Sequence, residues 1–401
     1  MHSSDAYGLD LDWSHITSFR RRLHMDPELS EHEHRTAVAV EHELSGAAPP
    51  DRMLTGLGRM QTGLCAVYEG QAEGPTVMLR CELDALPIQE AGECEHRSRR
   101  DGVAHLCGHD GHMATMVAVA HSLHRRRPAR GRAVLLFQPA EETGTGAEAL
   151  LSDPRFTELA PQFMFGFHNI PGYEAGTLIL REGTFAAASV GFIVTFAGST
   201  SHSSYPEYGR NPTTTVARLL DLVNGIETER AGDFRSRSTG TITSTRLGAV
   251  ELGPNFGTAP GQAEVMGVLR AYHDDDLATL KTMVSAEAER LAHEAALDCS
   301  VEWREEFAAT ENHNQAVEVL SAVAERHRRA VLKVEQPFRW SEDFGRYLQV
   351  WNGAFFGFGS GLQQPQLHSD TYDYPDELIP VGAAVYREIL DTLPEVTPAS
   401  E

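Results

Sequence analysis

Thiol, imidazole and carboxylate side chains crowd a few short stretches of this 401-residue chain. In Cys107-Gly108-His109-Asp110-Gly111-His112, a thiolate donor and two imidazoles stand close together, among small residues that let the backbone turn tightly. Thiolate and imidazole together suit zinc or another borderline divalent metal. The run cannot complete a coordination sphere alone. Gln138-Pro139-Ala140-Glu141-Glu142, Gly166-Phe167-His168-Asn169 and Leu367-His368-Ser369-Asp370 offer the missing donors. The pattern predicts a metal centre assembled from distant loops.

The elements that must bring these loops together can be read from hydrophobic spacing. Residues 12–48 read as helical, with Trp13, Ile16, Phe19 and Leu23 on one face and a break at Pro27. Strand-like runs at 64–68 and 76–80 follow. A polar, irregular stretch over 89–106 leads into the metal-type run, and an apolar helix over 113–123 comes after it. The run 133–137 is continuously apolar, as in a strand buried on both faces, and it ends where the two glutamates begin. Strands alternating with helices imply a mostly parallel sheet with chemistry at the strand C-termini. Near residue 186 the texture changes to strand 190–196, helix 212–227, strands 239–247 and 263–271, helix 274–297 and extension at 300–303. That β-α-β-β-α-β order is the ferredoxin-like unit. The fold class expected is therefore α/β, with an α+β domain inserted at 187–305 and a first domain made of 1–186 and 306–401.

Five cysteines, an odd number, are scattered without a framework, which argues against a disulfide scaffold and for a reducing compartment. Cys65 and Cys81 lie in apolar runs and read as small core residues. The N-terminus has neither a basic nor an apolar signal region, and no stretch has the apolar length to cross a bilayer, so a cytoplasmic protein is expected. The net charge of −23 arises because basic residues are scarce, lysine standing only at 281 and 333. Binding to nucleic acid or an anionic membrane is disfavoured.

Taken in order, "RRLHMDPELSEHE" (21–33), "LRCELDALPIQE" (79–90), "HLCGHDGH" (105–112), "LFQPAEETGTGA" (136–147), "FGFHNIPG" (165–172), "GSTSHSSYPEYGRNP" (198–212), "SEDF" (341–344) and "LHSDTYDYPDE" (367–377) resemble the M20 metallopeptidase family. The resemblance is to its amidohydrolase branch of aminoacylases, hippurate hydrolases and auxin-conjugate hydrolases, and it covers nearly the whole chain. It implies a catalytic domain holding two divalent metals and a smaller lid domain through which two copies pair. It implies metal ligands at Cys107, His109, Glu142, His168 and His368, Glu141 as general base, and Asp84 as the carboxylate that orients a ligand imidazole. In related dimers the lid histidine, here His202, enters the partner's site to stabilise the oxyanion. The family's lid asparagine binds substrate; Asn255 stands two residues before its position, which Gly257 occupies. Arg270 is a candidate for a substrate carboxylate, or else a structural arginine. The family usually has Asp where this chain has Glu82.

The expected activity is hydrolysis of an N-acyl amino acid or related N-acyl amine, with a dipeptidase or aminopeptidase as the alternative. Zn, Mn, Co and Ni all suit the donor set. A metal lowers the pKa of bound water and polarises the carbonyl, and a carboxylate beside that water takes its proton and passes it to the leaving amine. Adjacent Glu141 and Glu142 fit this division if an extended backbone points them to opposite sides. Two other readings stay open: a cysteine hydrolase using Cys107, and a binding protein with a closed structural metal. His112 reads as a packing or hydrogen-bonding histidine rather than a sixth ligand. His24, Asp26 and Glu28 read as caps for the opening helices, and Ser341–Phe344 as a capping box.

Overall fold

Asp12 starts the first helix by accepting the backbone N–H groups of Ser14 and His15, both at 3.1 Å. In the computed structural model, which describes residues 7–226, 238–248 and 256–396 (side chains of 394–396 aside), that helix runs Trp13–Met25. Pro27 breaks it as expected. Glu28 then orders the next helix, His34–Ala47, by accepting the N–H and hydroxyl of Thr36 at 2.8 and 3.0 Å. His24 departs from its expected capping role. It is buried and its ring lies between the carboxylates of Asp110 and Glu90.

The chain divides into two units, one of Met1–Phe185, Thr310–Glu335 and Asp343–Glu401, the other of Ala186–Ala309 and Gln336–Glu342. In the first, eight strands form one sheet in the order Arg52–Leu57, Gly63–Glu69, Arg132–Gln138, Thr76–Glu82, Phe163–Ile170, Gly353–Gly359, Leu178–Leu180, Val331–Lys333. The four central strands are parallel, while Gly63–Glu69 and Leu178–Leu180 join their flanks antiparallel. The central strands are buried almost throughout, which explains their unbroken apolar runs. The helix His109–Arg125 packs against Trp13–Met25 and Leu378–Val396. It starts four residues before the expected 113, so His109 and His112 stand on its first turn rather than on a preceding loop. No described helix is long and apolar enough to cross a membrane.

In the second unit the described strands form an antiparallel sheet in the order Ser238–Leu247, Gln262–Ala271, Ala188–Ala197, Asp298–Phe307. Helices Thr213–Gly225 and Asp274–Glu294 cover it. This is the ferredoxin-like order. One feature had no sequence signal: Gln336–Glu342 returns to this unit, where Ala187 N–H donates to the carbonyls of Phe338 and Trp340 at 3.1 and 3.0 Å.

Candidate metal centre

Three parallel strands end at one edge of the first unit's sheet, and the residues singled out for chemistry lie on or just after those ends. Asp84 follows Thr76–Glu82, Glu141 and Glu142 follow Arg132–Gln138, and His168 sits near the end of Phe163–Ile170. Such strand ends are where open α/β sheets form their sites. The helix bearing His109 begins here too. Gly108 precedes it at φ +94°, and a Cβ at that position would meet Asn169 Oδ1 at 2.7 Å, so glycine is required. A Cβ at Gly111 would enter the Tyr374 ring, 2.2 Å from Cγ.

The ligand-type atoms of Cys107, His109 and His168 lie within 4.8 Å of one another. Cys107 Sγ is 3.4 Å from His168 Nε2. Both imidazoles are held the same way. His109 Nδ1 donates to the carbonyl of Asp84 at 2.9 Å, and His168 Nδ1 to the carbonyl of Asn169 at 2.9 Å. A carbonyl only accepts, so each Nδ1 carries the proton and each Nε2 turns towards the cluster. His109 Nε2 is buried without a hydrogen bond, at 4.0 Å from Glu141 Oε2 and 3.8 Å from Glu142 Oε1. The other oxygen of Glu142 lies 3.7 Å from His368 Nε2. Glu142 thus stands between His109 and His368, and all five residues implied by the resemblance meet in one place.

The charges are mutually perturbing. Burial pushes His109 down, but Asp84, Glu82 and Glu142 outweigh it and lift the imidazole to about 10. Burial and the neighbouring His112 hold His168 well below its ordinary value, leaving it neutral. Burial, with Glu142 and Glu141 close by, pushes the Cys107 thiol well above the usual range. The carboxylates therefore favour positive charge at the centre of the cluster. A buried imidazole nitrogen without a hydrogen bond, beside a thiol, a second imidazole and two carboxylates, fits a borderline divalent cation.

Two expectations need correction. Glu141 and Glu142 lie in a turn, not an extended segment: Ala140 has φ +51° and Gly144 N–H donates to Glu141 O at 2.8 Å. An oxygen of each glutamate consequently faces His109. Ser341–Phe344 is no capping box. The side chain of Asp343 is buried and accepts from Arg80 Nη2, Gln138 Nε2 and Ala147 N at 2.7–2.9 Å, and the helix Gly345–Leu348 has no side-chain cap. His112 behaves as read, since Nδ1 meets Glu82 and Nε2 meets Asn169 Oδ1, both at 2.6 Å, leaving neither for a metal. The long Glu82 side chain spans His112 and Arg80.

Sequence reasoning missed Glu33. Buried in the first unit, it accepts the N–H of Ala140 at 2.8 Å and the hydroxyl of Thr62 at 3.0 Å, so it fixes the turn that presents both glutamates. Burial and the nearby Asp84 lift its carboxyl to about 7. Only its place within "RRLHMDPELSEHE" signalled it. In the second unit, His202 is exposed on a two-residue strand paired with Thr258–Ala259, and its Nδ1 accepts the N–H of Ser204 at 3.1 Å. Arg270 Nη1 donates to Ser341 Oγ at 2.8 Å and to Arg339 O at 3.2 Å. Asn255 lies outside the described residues.

A sequence profile of peptidase family M20/M25/M40 matches residues 78–392. An uncharacterised hydrolase of Staphylococcus epidermidis is 28% identical over 391 residues, covering 95% of this chain and 98% of its own. N-acetylcysteine deacetylase of Bacillus subtilis is 26% identical over 375 residues, covering 93% and 95%. Among solved structures, the Bacillus subtilis YXEP protein, a dinuclear metal binding peptidase, superposes with a TM-score of 0.78 at 24% identity, over 96% of this chain and 99% of that one.

Proposed function

The chain belongs to peptidase family M20/M25/M40 and is a hydrolase; on that premise we propose that it cleaves the amide bond of N-acyl amino acids or related N-acyl amines, using two divalent cations. The observation that carries this reading is the convergence of Cys107, His109, Glu142, His168 and His368, with Glu141 beside them. These five residues would hold the cations, whose identity among Zn, Mn, Co and Ni the donor types leave to supply. When bound, they supply Lewis-acid polarisation of the amide carbonyl and acidify water.

The protein's own groups do the rest. Glu141 takes the proton of the attacking water and delivers it to the leaving nitrogen, so the C–N bond breaks to give a carboxylate and a free amine. Its fixed turn holds it in place, and its burial strengthens its interaction with the charge that develops. His109 and His168 keep Nε2 directed inward because their Nδ1 protons are spent on backbone carbonyls. Because His202 Nδ1 accepts a backbone N–H, its neutral ring carries the proton on Nε2, the form able to donate to a developing oxyanion. We assign that role to His202 of a second copy in a lid-paired homodimer, with Arg270 and Asn255 on the substrate's carboxylate side. The two cations and the acyl substrate are supported by the likeness to a dinuclear peptidase and an N-acetylcysteine deacetylase. A cytoplasmic location follows from the free cysteines.

The test is hydrolysis of a panel of N-acyl amino acids and dipeptides by chelator-stripped protein, then after Mn or Zn is restored. Release of free amino acid only with metal, faster from acylated than from peptide substrates, supports the reading. Preference for dipeptides would favour a peptidase instead. Activity that survives chelation but dies on thiol alkylation would overturn it in favour of Cys107 as nucleophile.

A further inference from the structure

We propose that His24, Glu90 and Cys94 form a third divalent-cation site, separate from the Cys107 cluster and suited to zinc. The three come from different places: His24 from the last turn of helix Trp13–Met25, Glu90 and Cys94 from the irregular stretch before helix His109–Arg125. Their ligand-type atoms all lie within 4.8 Å of one another.

The spacing is that of a coordination shell. His24 Nε2 is 3.3 Å from Glu90 Oε1, and Cys94 Sγ is 3.5 Å from the same oxygen. Tetrahedral zinc with ordinary Zn–N, Zn–O and Zn–S bonds separates nitrogen from oxygen by about 3.4 Å and sulfur from oxygen by about 3.6 Å. The outer partners match as well. Asp110 Oδ2 lies 2.8 Å from His24 Nδ1, the carboxylate–histidine arrangement that fixes a metal-binding tautomer. The second oxygen of Glu90 is occupied by Ser98 N–H at 2.7 Å, which leaves Oε1 for a cation. His96 is also near Cys94, but its Nε2 is taken by Asp373 and Arg20, each at 3.0 Å, so His24 is the imidazole assigned.

Charge points the same way. Around the buried Arg20 stand Asp110, Asp373 and Asp376, with Glu90 beyond His24. Four carboxylates thus face one guanidinium and one imidazole, with Arg21 reaching Asp376 from the surface. Both His24 nitrogens face carboxylate oxygens, so both carry protons while no cation is bound. A divalent cation displaces the Nε2 proton and the Cys94 thiol proton: two positive charges enter, two leave, and the local charge is unchanged. Cys94 also lines a surface cavity of about 690 Å³ together with Glu93, Glu95 and Arg97, which gives a cation and a water ligand a route in. Once filled, the site would staple the 83–106 stretch to the first helix and, through Asp110, to the helix that starts the catalytic cluster.

The experiment counts cobalt(II) or zinc taken up by chelator-stripped full-length protein and by Cys94→Ala and Glu90→Gln, by equilibrium dialysis and elemental analysis. Expected is one equivalent fewer in each variant, a weaker sulfur-to-cobalt absorption in Cys94→Ala, and two protons released with the lost equivalent. In the unmutated protein, zinc should slow alkylation of Cys94 by at least about tenfold, read by peptide mass mapping. Equal uptake by all three folded proteins, or an unchanged alkylation rate, overturns the proposal. The comparison is of differences, so it holds whether or not the amide-hydrolase reading survives.

Discussion

Asp84 holds His109 through its backbone: Nδ1 lies 2.9 Å from the Asp84 carbonyl oxygen and 3.6 Å from the nearer carboxylate oxygen. The carboxylate has a different task, since its Oδ2 accepts the N–H of Glu142 at 2.9 Å and the hydroxyl of Ser30 at 2.7 Å. An amide oxygen can accept both bonds, a methyl neither. Asp84→Asn should therefore keep metal affinity within about tenfold, while Asp84→Ala should weaken it by about 10–100-fold. Competition with a graded chelator series measures both. Equal damage from the two would mean that the charge matters and the geometry does not.

Glu141→Gln should retain both cations and lose about 10²–10⁴-fold in kcat, because an amide cannot carry a proton from water to amine. Elemental analysis alongside turnover separates this from a ligand defect. In Glu142→Gln, metal content itself should fall.

If His202 serves the partner's site, an inactive Glu141→Gln protein and an inactive His202→Ala protein should rescue each other. Each mixed dimer then holds one site with both residues intact. An equal mixture, dissociated and reassociated, should recover about a quarter of wild-type activity, the statistical yield for a two-fold dimer. No recovery from dimers shown to have exchanged would place His202 in its own chain's site or outside the chemistry.

Asp343→Ala removes a buried partner of Arg80 and three hydrogen bonds, so folding should lose about 3–5 kcal/mol. Asp343→Asn, which keeps one oxygen, should lose less. Urea midpoints at fixed metal occupancy decide. A loss within error of zero for Asp343→Ala would mean that Arg80 is satisfied by Glu82 alone.

Hydrogen bonding by Arg155, aided by Gly58 N–H and Arg155 N–H, holds the Asp153 carboxyl down at about 2. Its folded value lies below its unfolded one, so the stability it contributes is present above about pH 4 and is lost as pH falls towards 2. Asp153→Ala should cost about 1 kcal/mol at pH 7 through loss of this helix cap, and the gap from wild type should narrow on acidification through that window. A gap independent of pH would show that Asp153 acts only by shape.

Much of this was legible in the chain itself. Cys107, His109 and the glutamate pair announced a metal by donor type and spacing, and the apolar runs at 76–80 and 133–137 announced the buried parallel strands that end beside them. What stayed hidden depended on neighbours distant in sequence. His24 has the local context of a helix end, and only Asp110 and Glu90, arriving from 86 and 66 residues away, make it part of a charged core. Asp343 looks like a cap until Arg80 and Gln138 reach it from across the sheet. The turn at Glu141 follows from the backbone of Ala140 at φ +51°, which alanine does not advertise.

The order of strands carries a consequence for how the molecule is made. Gly353–Gly359 lies between Phe163–Ile170 and Leu178–Leu180, with Gly357 in register with His168, yet it follows the whole inserted unit in the chain. On the ribosome, the strand bearing His168 must wait as an open edge while some 180 further residues are synthesised, at about 5–20 residues per second. His368 emerges later still. Nascent chains therefore pass through a stage with an unpaired hydrophobic strand and no complete cluster, the state most prone to pairing with a neighbour. Premature termination anywhere before residue 353 would leave that edge exposed for good, so the last strand to be made is what protects the site from aggregation.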